Sequence, residues 1–533
     1  MKSLIDFINQ NTTFKNQDLA LKATEDLLQI YENEDLLYSS GLLSANLGDF
    51  HKSLYYYQRL LNVNSNHKQA LFDLGALYSH LGDLDKSIEY AENLIKIDPN
   101  YNDIQIHLAN AYSNSGNHDK ASEFYQSALG NNPYNLNAWS DLFLSLNYTN
   151  ITIDERIAIR NEFSKLLKPH TSQKINNKNH KIRLAYISSD FRNHAVAYFL
   201  KGLITKHDTN IFDIYYYSLS NIEDEITRQF KNSGNFINCS IFSIEELTKV
   251  ISNDEIDILI DLNGFTQPNK LEALLQNIAP IQITWLGFLN TLGIPTINYK
   301  ISDIHLIDDE IEDYYTEDII KLNNSLVYDP PSEFPEISQL PYKYNGYVTF
   351  GFFNNPRKLN LNVCDKWIEI FKNYEGCKLL IIKSKYEKYN QNLKSYFNSK
   401  GFTNIEFVEE TSMYDFMKHI GSVDIALDAF PHSGGATSAH CLWMGVPVLT
   451  IEGKLEFERI SSALLKTVGL EMFVCTTEDD YVKRGSSLDF SKIEDIRVDL
   501  RSRFPDYLKV IKELESELIS IYKIHQSSGD SLS

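Results

Sequence analysis

A repeat in the first third of the chain constrains the fold more than any other feature. Gly48-Asp49, Gly82-Asp83 and Gly116-Asn117 follow one another at a spacing of 34 residues. A Gly-Asp pair interrupts a helix, while small residues at fixed places let two helices pack closely. The period therefore predicts a stack of helix–turn–helix units. The other residues that recur in step are Gly41, Gly75 and Ala109; Ser53, Ser87 and Ala121; Leu61, Ile95 and Leu129; and Pro99 and Pro133.

The spacing indicates an all-α tetratricopeptide array over residues 1–168. Three units are complete, at 34–66, 67–100 and 101–134, after a partial unit and before a degenerate helix pair at 135–168. Stacked repeats form a concave groove. The groove either captures a peptide or merely holds the chain together, and the repeat pattern leaves both interpretations open.

A polar segment at residues 169–180 has no apolar period and is predicted to be a linker. Beyond it, short apolar runs alternate with helical patterns, which predicts α/β domains built on doubly wound parallel sheets. A Pro-rich break at 330–341 indicates two sheets, at 181–340 and 341–533. The predicted strands are 182–188, 212–218, 256–262, 281–286, 348–353, 378–383, 405–408, 423–428 and 446–450.

Composition excludes several classes of protein. With 533 residues, 43% of them hydrophobic, the chain is long enough for three globular domains. A net charge of −21 opposes nucleic-acid binding, which depends on Lys and Arg. The first 20 residues lack the apolar core of a secretion signal, and no run approaches the length of a membrane span, so we expect a cytoplasmic protein. The scattered cysteines, Cys239, Cys364, Cys377, Cys441 and Cys475, indicate neither disulfides nor a zinc site.

The segment from 423 to 450 predicts an anion-binding loop. A strand is followed by Gly434-Gly435, then by Thr437-Ser438 at the start of a helix, and then by a second strand. Glycines let the backbone approach a ligand closely, and the free N–H groups of a helix start favour a phosphate. A Gly-Gly turn between strand and helix can equally be a plain tight connection. The choice between the two depends on the rest of the chain.

Several motifs in order resemble the O-linked N-acetylglucosamine transferase family, especially its bacterial SPINDLY-like members. The resemblance covers nearly the whole chain, including the array. It implies a GT-B fold of two Rossmann-like domains, a UDP-sugar donor, inversion at the anomeric carbon and a protein side chain as acceptor. The motifs are residues 186–194, 261–266, 279–287, 351–358, 434–437 and 442–447.

The resemblance also implies catalytic residues. Lys358 stands at the family's catalytic lysine, where a fixed cation would stabilise the charge that develops on the leaving diphosphate. His194 stands at the family's active-site histidine on the other α/β domain. A histidine there could accept a proton or could position a substrate oxygen. We favour positioning, since a donor phosphate could itself take the acceptor proton.

The family pattern further implies a donor-binding set with some departures. Asn355 replaces a glutamine, Gly435 replaces a histidine of the animal enzymes, Ala436 replaces a threonine, and His440 replaces an acidic residue that contacts the ribose. Thr437 matches a threonine that reaches the diphosphate. Because His440 replaces the residue that contacts the ribose, the nucleotide preference stays open. The implied set is Asn355, Gly434, Gly435, Ala436, Thr437 and His440, and Arg459 matches a family arginine of undefined role.

No metal is expected. Residues 181–533 contain no Asp-x-Asp pair, although Asp83-Leu84-Asp85 occurs in a repeat turn. Transferases that hold a diphosphate through a divalent cation need such paired carboxylates. The sequence therefore predicts a reaction without a metal or another cofactor.

Acceptor binding is expected in the repeat groove. The animal enzymes carry an Asn ladder there, and the matching positions in this chain are Ser39, Asp73, His107 and Asp141. Two carboxylates would favour basic acceptor segments and narrow the range of acceptors. A homo-oligomer is compatible with these patterns.

Three functional hypotheses follow. The first is a transferase that adds N-acetylglucosamine to Ser or Thr of a protein, with glucose and fucose as other donor sugars. The second is an N-glycosyltransferase that adds a hexose to Asn. The third is a non-catalytic tetratricopeptide scaffold, which the intact Lys358, His194 and Gly434-Gly435-x-Thr437 disfavour.

Overall fold

The computed structural model describes residues 16–101, 103–168, 181–409 and 412–530. The predicted linker at 169–180 lies outside the described residues. The chain divides into two compact units. One consists of Met1–Pro133 with Ser384–Asn392, and the other of Tyr134–Lys383 with Leu393–Ser533.

The first unit contains the predicted array. Its helices pair as α2 with α3, α4 with α5, and α6 with α7, which confirms the three complete repeats. Within residues 16–33, one helix (α1) precedes them. The bounds are Gln17–Leu28 (α1), Glu34–Asn46 (α2), Phe50–Val63 (α3), Lys68–Leu81 (α4), Leu84–Ile97 (α5), Ile104–Asn114 (α6) and His118–Asn131 (α7).

The repeated Gly-Asp pair forms the turn inside each unit. Gly48 and Gly82 adopt φ values of 79° and 85°, a left-handed conformation that favours glycine and ends the first helix. Asp49 and Asp83 then accept a hydrogen bond from a backbone N–H three residues later and cap the second helix. Gly41 allows the two helices to approach, since a Cβ there would lie 2.5 Å from the Tyr57 ring.

The second unit begins with the helix pair α8 (Leu136–Leu146) and α9 (Ile153–Leu166). The pair packs on the first α/β domain: Phe143 stacks on Phe265 with ring centroids 4.6 Å apart, and Phe163 meets the same ring at 5.8 Å. Repeat periodicity assigned this pair to the array as a degenerate unit. In the structure its apolar face is part of the unit that contains the sheets.

Seven parallel strands form the first sheet, in the order β3-β2-β1-β4-β5-β6-β7. Residues of β1 pair in register with both β2 and β4, from Ile182↔Phe212 to Ile187↔Asp261. The strands are Ile182–Ser188 (β1), Phe212–Ser218 (β2), Asn235–Asn238 (β3), Ile258–Asp261 (β4), Ile281–Thr284 (β5), Tyr299–Asp303 (β6) and Asp318–Leu322 (β7). The connecting helices are Ala197–Ile204 (α10), Glu225–Lys231 (α11), Ile244–Asn253 (α12) and Leu271–Leu274 (α13).

Six parallel strands form the second sheet, in the order β10-β9-β8-β11-β12-β13. The strands are Thr349–Phe352 (β8), Lys378–Ile382 (β9), Ile405–Val408 (β10), Ile425–Leu427 (β11), Val448–Ile451 (β12) and Val474–Cys475 (β13). The helices are Pro341–Asn345 (α14), Leu361–Phe371 (α15), Glu387–Ser399 (α16), Met413–Gly421 (α17), Ala436–Trp443 (α18), Glu456–Thr467 (α19), Glu478–Gly485 (α20), Phe490–Asp499 (α21) and Tyr507–Asp530 (α22). The predicted fold class, an α-helical array before two parallel-sheet domains, is confirmed.

A buried ion pair joins the two sheets. Lys300 Nζ on β6 lies 2.9 Å from Glu456 Oε2 at the start of α19, and the two side chains are 0% and 1% exposed. Ser302 Oγ also donates to Glu456, over 2.9 Å. Beside them Arg459 donates to Asp308 Oδ1 over 3.1 Å and to the carbonyl of His305 over 2.9 Å. The arginine of undefined role is therefore a link between the sheets.

The last helix, α22, packs against the first α/β domain although it follows the second. Glu515 accepts a hydrogen bond from the Asp208 N–H over 2.7 Å and lies 3.0 Å from His207 Nδ1. His207 in turn pairs with the buried Tyr186 hydroxyl over 2.7 Å. Among the described helices, none is long and apolar enough to cross a membrane.

We expect Glu456→Ala to lower the free energy of unfolding of the second unit by about 3–5 kcal/mol, because the variant leaves the Lys300 ammonium buried without its counter-charge. The double variant Lys300→Met with Glu456→Leu should lower the free energy of unfolding by less than Glu456→Ala alone, because it leaves no unpaired charge. Urea unfolding monitored by tryptophan fluorescence measures both. A Glu456→Ala variant as stable as the parent chain would contradict the role of the pair.

Candidate active site

Lys358 lies just after β8, in the short 3-10 turn Pro356–Lys358. Its Nζ donates to the carbonyl of Ser433 over 2.5 Å. Burial lowers the pKa of Lys358 to about 8, against the opposing effect of the nearby Asp428 carboxylate. The ammonium is therefore charged at neutral pH, and it is held at the strand ends of the second sheet, where ligands bind in such folds.

Asp428 organises the loop beneath this lysine. The carboxylate is 1% exposed and follows β11 directly. It accepts hydrogen bonds from the Gly434 N–H over 2.9 Å and from Thr450 Oγ1 over 2.8 Å. Asn354 Nδ2 donates to it over 3.3 Å. Burial raises the pKa of Asp428, while these donors and Lys358 favour its charged form.

Gly434 and Gly435 form the predicted anion loop. A Cβ on Gly434 would lie 2.1 Å from Ser438 Oγ and 2.6 Å from Asn354 Nδ2, so any other residue there would displace these side chains. Gly435 is the N-cap of α18 and provides no side-chain cap for the helix. The N–H groups of the first turn are thus left for a ligand.

The next two predicted donor residues open α18. Ala436 is buried, while Thr437 is partly exposed. Among the described residues, no hydrogen-bond partner is recorded for the Thr437 hydroxyl. Its predicted contact with a diphosphate is compatible with this exposure and stays a prediction.

His440, one turn further along α18, lies in an aromatic cluster. It is 4% exposed, and its Nδ1 pairs with the Tyr328 hydroxyl over 2.5 Å. The Tyr198 ring meets it edge-on, with centroids 5.0 Å apart. Burial lowers the pKa of His440 to about 3, so the imidazole is neutral at physiological pH. Its predicted contact with the nucleoside stays a prediction.

His194 follows β1 on the first sheet. Its Nδ1 lies 3.2 Å from Asp190 Oδ2, and the ring is about one third exposed. Burial lowers the pKa of His194, while the Asp190 charge raises it and Arg192 lowers it. The adjacent Asn193 accepts a hydrogen bond from the Tyr198 hydroxyl over 2.7 Å. Through Tyr198 and His440, the loops of the two sheets are therefore brought together.

The loop at 261–266, recognised as a motif, supports the histidine side of the site. Asn263 Oδ1 accepts a hydrogen bond from the Ser189 N–H over 2.8 Å, and its Nδ2 donates to Ser189 Oγ over 2.8 Å. Gly287, in the motif at 279–287, packs against this loop so closely that a Cβ would lie 1.9 Å from the Leu262 carbonyl oxygen. These residues fix the backbone that carries His194.

Asn355 is exposed and caps its own turn. Its Oδ1 accepts a hydrogen bond from the Arg357 N–H over 3.1 Å. The amide nitrogen is the group that could donate to a ligand. The predicted nucleotide contact of Asn355 stays a prediction.

The predicted acceptor residues do not lie in one unit. In the array, Asp73 accepts hydrogen bonds from the Tyr38 hydroxyl over 2.8 Å and the Tyr57 hydroxyl over 3.3 Å, and burial raises its pKa. His107 packs beside Gly75, and burial lowers its pKa. Asp141 lies on α8 in the second unit. Burial raises its pKa to about 6, against the opposing charge of Arg357.

Sequence reasoning missed Asp428, Ser433 and His432 as parts of the site. Asp428 had a usable signal, since a carboxylate directly after a buried strand lies at the ligand-binding edge. Ser433 contributes a backbone carbonyl, and His432 Nδ1 lies 3.0 Å from that oxygen; residue type gives no signal for either contact.

The chain is similar to known glycosyltransferases. The family model Glycosyl transferase family 41 matches residues 151–340 and 337–504, and a tetratricopeptide repeat model matches 81–142. A protein of Solanum lycopersicum, "Probable UDP-N-acetylglucosamine--peptide N-acetylglucosaminyltransferase SPINDLY", is 31% identical over 417 residues, which cover 73% of this chain and 45% of the relative. Its Arabidopsis thaliana counterpart is 30% identical over 390 residues, covering 69% and 42%. The matches span less than half the length of these relatives.

Among solved structures, an O-GlcNAc transferase mutant from Thermobaculum terrenum has a TM-score of 0.79 with 24% sequence identity. The superposition covers 98% of this chain and 100% of that one. This likeness confirms the predicted fold of a helical array followed by two Rossmann-like domains.

We expect Gly434→Ala to raise the Kd for UDP about 10-fold or more, or about 1.4 kcal/mol, because the added methyl group overlaps Ser438 and Asn354. Isothermal titration calorimetry with UDP measures the change, and thermal unfolding reports whether the variant is folded. Gly130→Ala is the matched control, since a Cβ on Gly130 meets nothing within 4 Å. An unchanged Kd in folded Gly434→Ala would refute the assignment of the loop.

Proposed function

The chain belongs to glycosyl transferase family 41, and from this premise we propose that it is an inverting protein O-glycosyltransferase. The proposed donor is UDP-N-acetylglucosamine and the proposed acceptor is Ser or Thr of a protein. The names of the plant relatives, which specify UDP-N-acetylglucosamine and a peptide, support this choice.

One observation carries the proposal: the Lys358 ammonium is fixed beside the Gly434 loop, where the uncapped start of α18 provides N–H groups. A cation and a helix N-terminus together suit a diphosphate. As the sugar gains oxocarbenium character, the departing diphosphate gains negative charge. Groups already in place for that charge lower the barrier, which supports an enzyme over a scaffold.

The reaction would be a single displacement. The acceptor oxygen forms a bond to the anomeric carbon on the face opposite the diphosphate, while the bond from that carbon to the phosphate oxygen breaks and UDP leaves with the electron pair. The acceptor proton passes to a donor phosphate oxygen. His194, whose lowered pKa keeps it neutral, positions the acceptor or the sugar by a hydrogen bond.

We propose that the acceptor protein binds the array. Because Asp73 already accepts hydrogen bonds from two tyrosines, its carboxylate is less available to a peptide than the sequence indicated. The charge of Asp141 is balanced in part by Arg357. The proposed preference for basic acceptor segments is therefore weaker than two free carboxylates would give.

We expect Lys358→Ala to lower the rate of sugar transfer about 100-fold, or about 3 kcal/mol of barrier, because the leaving diphosphate loses its cation. The assay is intact-mass spectrometry of an acceptor protein co-expressed with the chain, followed by fragmentation to locate the sugar. Lys394→Ala, on the exposed face of α16, is the matched control. Near-normal transfer by Lys358→Ala would rule out the catalytic role. A hexose on Asn would instead identify an N-glycosyltransferase.

We also propose that no metal takes part. Within the described residues, no group of three or more His, Cys, Asp and Glu side chains could hold a metal ion, and in the proposed reaction Lys358 supplies the positive charge. Transfer should therefore proceed at the same rate in excess EDTA. A rate that only Mg²⁺ or Mn²⁺ restores would contradict this proposal.

A further inference from the structure

The carbonyl that holds Lys358 is itself held by a neighbouring ring. His432 Nδ1 lies 3.0 Å from the Ser433 oxygen, the same atom that accepts the hydrogen bond from Lys358 Nζ. Since a carbonyl can only accept, the Nδ1–H donates. Ser433 is 1% exposed, and its N–H and its hydroxyl both donate to the Phe457 carbonyl over 3.1 Å. The Ser433 oxygen shares its peptide unit with the Gly434 N–H, which donates to Asp428 Oδ1 over 2.9 Å, so Asp428 and His432 hold this unit from its two edges.

The His432 ring is fixed by Tyr148, which lies in the turn between α8 and α9. The two rings stack with centroids 4.8 Å apart and an interplanar angle of 19°. The turn is rigid, because the buried Arg156 guanidinium donates to the carbonyls of Leu146 and Thr149, each over 2.9 Å. Its position is also tied to the first α/β domain.

That tie is made by Asn290, whose Nδ2 donates to Asn147 Oδ1 over 3.1 Å. Arg156 additionally packs over the Phe457 ring at 5.1 Å, and Phe457 provides the carbonyl that Ser433 binds. The α8–α9 turn therefore contacts both the loop that holds Lys358 and the domain that carries His194.

We propose that His432, held in place by Tyr148, is a positioning residue for Lys358. This inference rests on the catalytic role of Lys358 in the proposed function. The Nδ1–H directs the Ser433 carbonyl, and the carbonyl directs the ammonium toward the leaving diphosphate. A lysine side chain has many rotamers, so a fixed acceptor for its Nζ is what maintains its place. A shift of about 1 Å in a catalytic group can cost about 100-fold in rate.

Three variants separate the two contacts of His432. His432→Phe keeps a ring for Tyr148 but removes the donor to Ser433. His432→Asn keeps an amide N–H near the position of Nδ1 but removes the ring. Tyr148→Leu removes the stack and leaves His432 intact. The probe is UDP-N-acetylglucosamine without a protein acceptor, and the measured reaction is its hydrolysis, in which water takes the sugar and UDP is released.

We expect His432→Phe to lower kcat about 10-fold with KM for UDP-N-acetylglucosamine within about twofold, since the donor to Ser433 acts on the transition state rather than on binding. His432→Asn should recover part of the loss. Tyr148→Leu should lower kcat about threefold to tenfold. The controls are His51→Phe and Tyr134→Leu at exposed sites, which should behave as the parent chain. A His432→Phe variant with the parent kcat would overturn the inference, as would a fall in kcat that His432→Asn does not relieve at all.

A double-variant cycle distinguishes failure of this inference from failure of the proposed function. In the Lys358→Ala background, His432→Phe should cause no further loss, because both act on one group. If Lys358→Ala is slow and His432→Phe still adds its full 10-fold loss, the positioning role is wrong and the proposed function stands. If Lys358→Ala is as fast as the parent chain, the catalytic role of Lys358 is wrong and the inference falls with it.

Discussion

The buried ion pair between Lys300 and Glu456 is the interaction on which the site depends. Each half of the site is carried by a different sheet, His194 by the first and Lys358 by the second. Two buried ions must pair with good geometry and further hydrogen bonds, because the free energy lost in removing them from water otherwise exceeds the energy of their attraction. Ser302 and the Phe288 carbonyl, which accepts from Lys300 over 3.1 Å, provide the additional hydrogen bonds. The relative position of the two sheets is thereby specified in the protein interior.

Around this fixed centre, the proposed donor side of the site combines backbone groups with a few side chains. Asp428 accepts hydrogen bonds from the Gly434 N–H and the Thr450 hydroxyl, and the Ser433 carbonyl accepts one from Lys358. Burial raises the pKa of Asp428 and lowers that of Lys358, so each group depends on the other to stay charged. Such mutual dependence suits the proposed binding of an anionic diphosphate, which must leave the geometry of the site unchanged.

Sequence patterns predicted the fold well where the pattern was local. The strands at 182–188, 212–218 and 405–408 have the observed bounds, because apolar runs between turn residues define buried parallel strands. Strand β6 was missed because Lys300 interrupts its apolar run, and the buried charge is tolerated only through Glu456, far away in the sequence. Strand β3 was missed because it is a half-exposed edge strand that begins and ends with Asn.

The same limit applies to the site. Residue type and motif were enough to select Lys358, His194 and the Gly434 loop as candidates. The clustering of His440 with Tyr198 and Tyr328 depends on how the two sheets meet, which no short window of sequence contains. The tie between His432 and Tyr148 likewise requires the α8–α9 turn to lie against a loop almost three hundred residues further along the chain.

The place of the α8–α9 pair also bears on how such proteins could be recombined. Helices α8 and α9 resemble a last repeat in sequence, but their apolar face packs against Phe265 of the first α/β domain. The match to the family model also begins inside this pair, at residue 151. A chimaera that exchanges one array for another is therefore best joined near Pro133, where the N-terminal segment of the first unit ends. A joint in the predicted linker at 169–180 would look natural from the sequence, yet it would replace the α8–α9 pair of the second unit together with the array. The module that natural variation or an engineer can exchange is one helix pair shorter than the repeat pattern suggests.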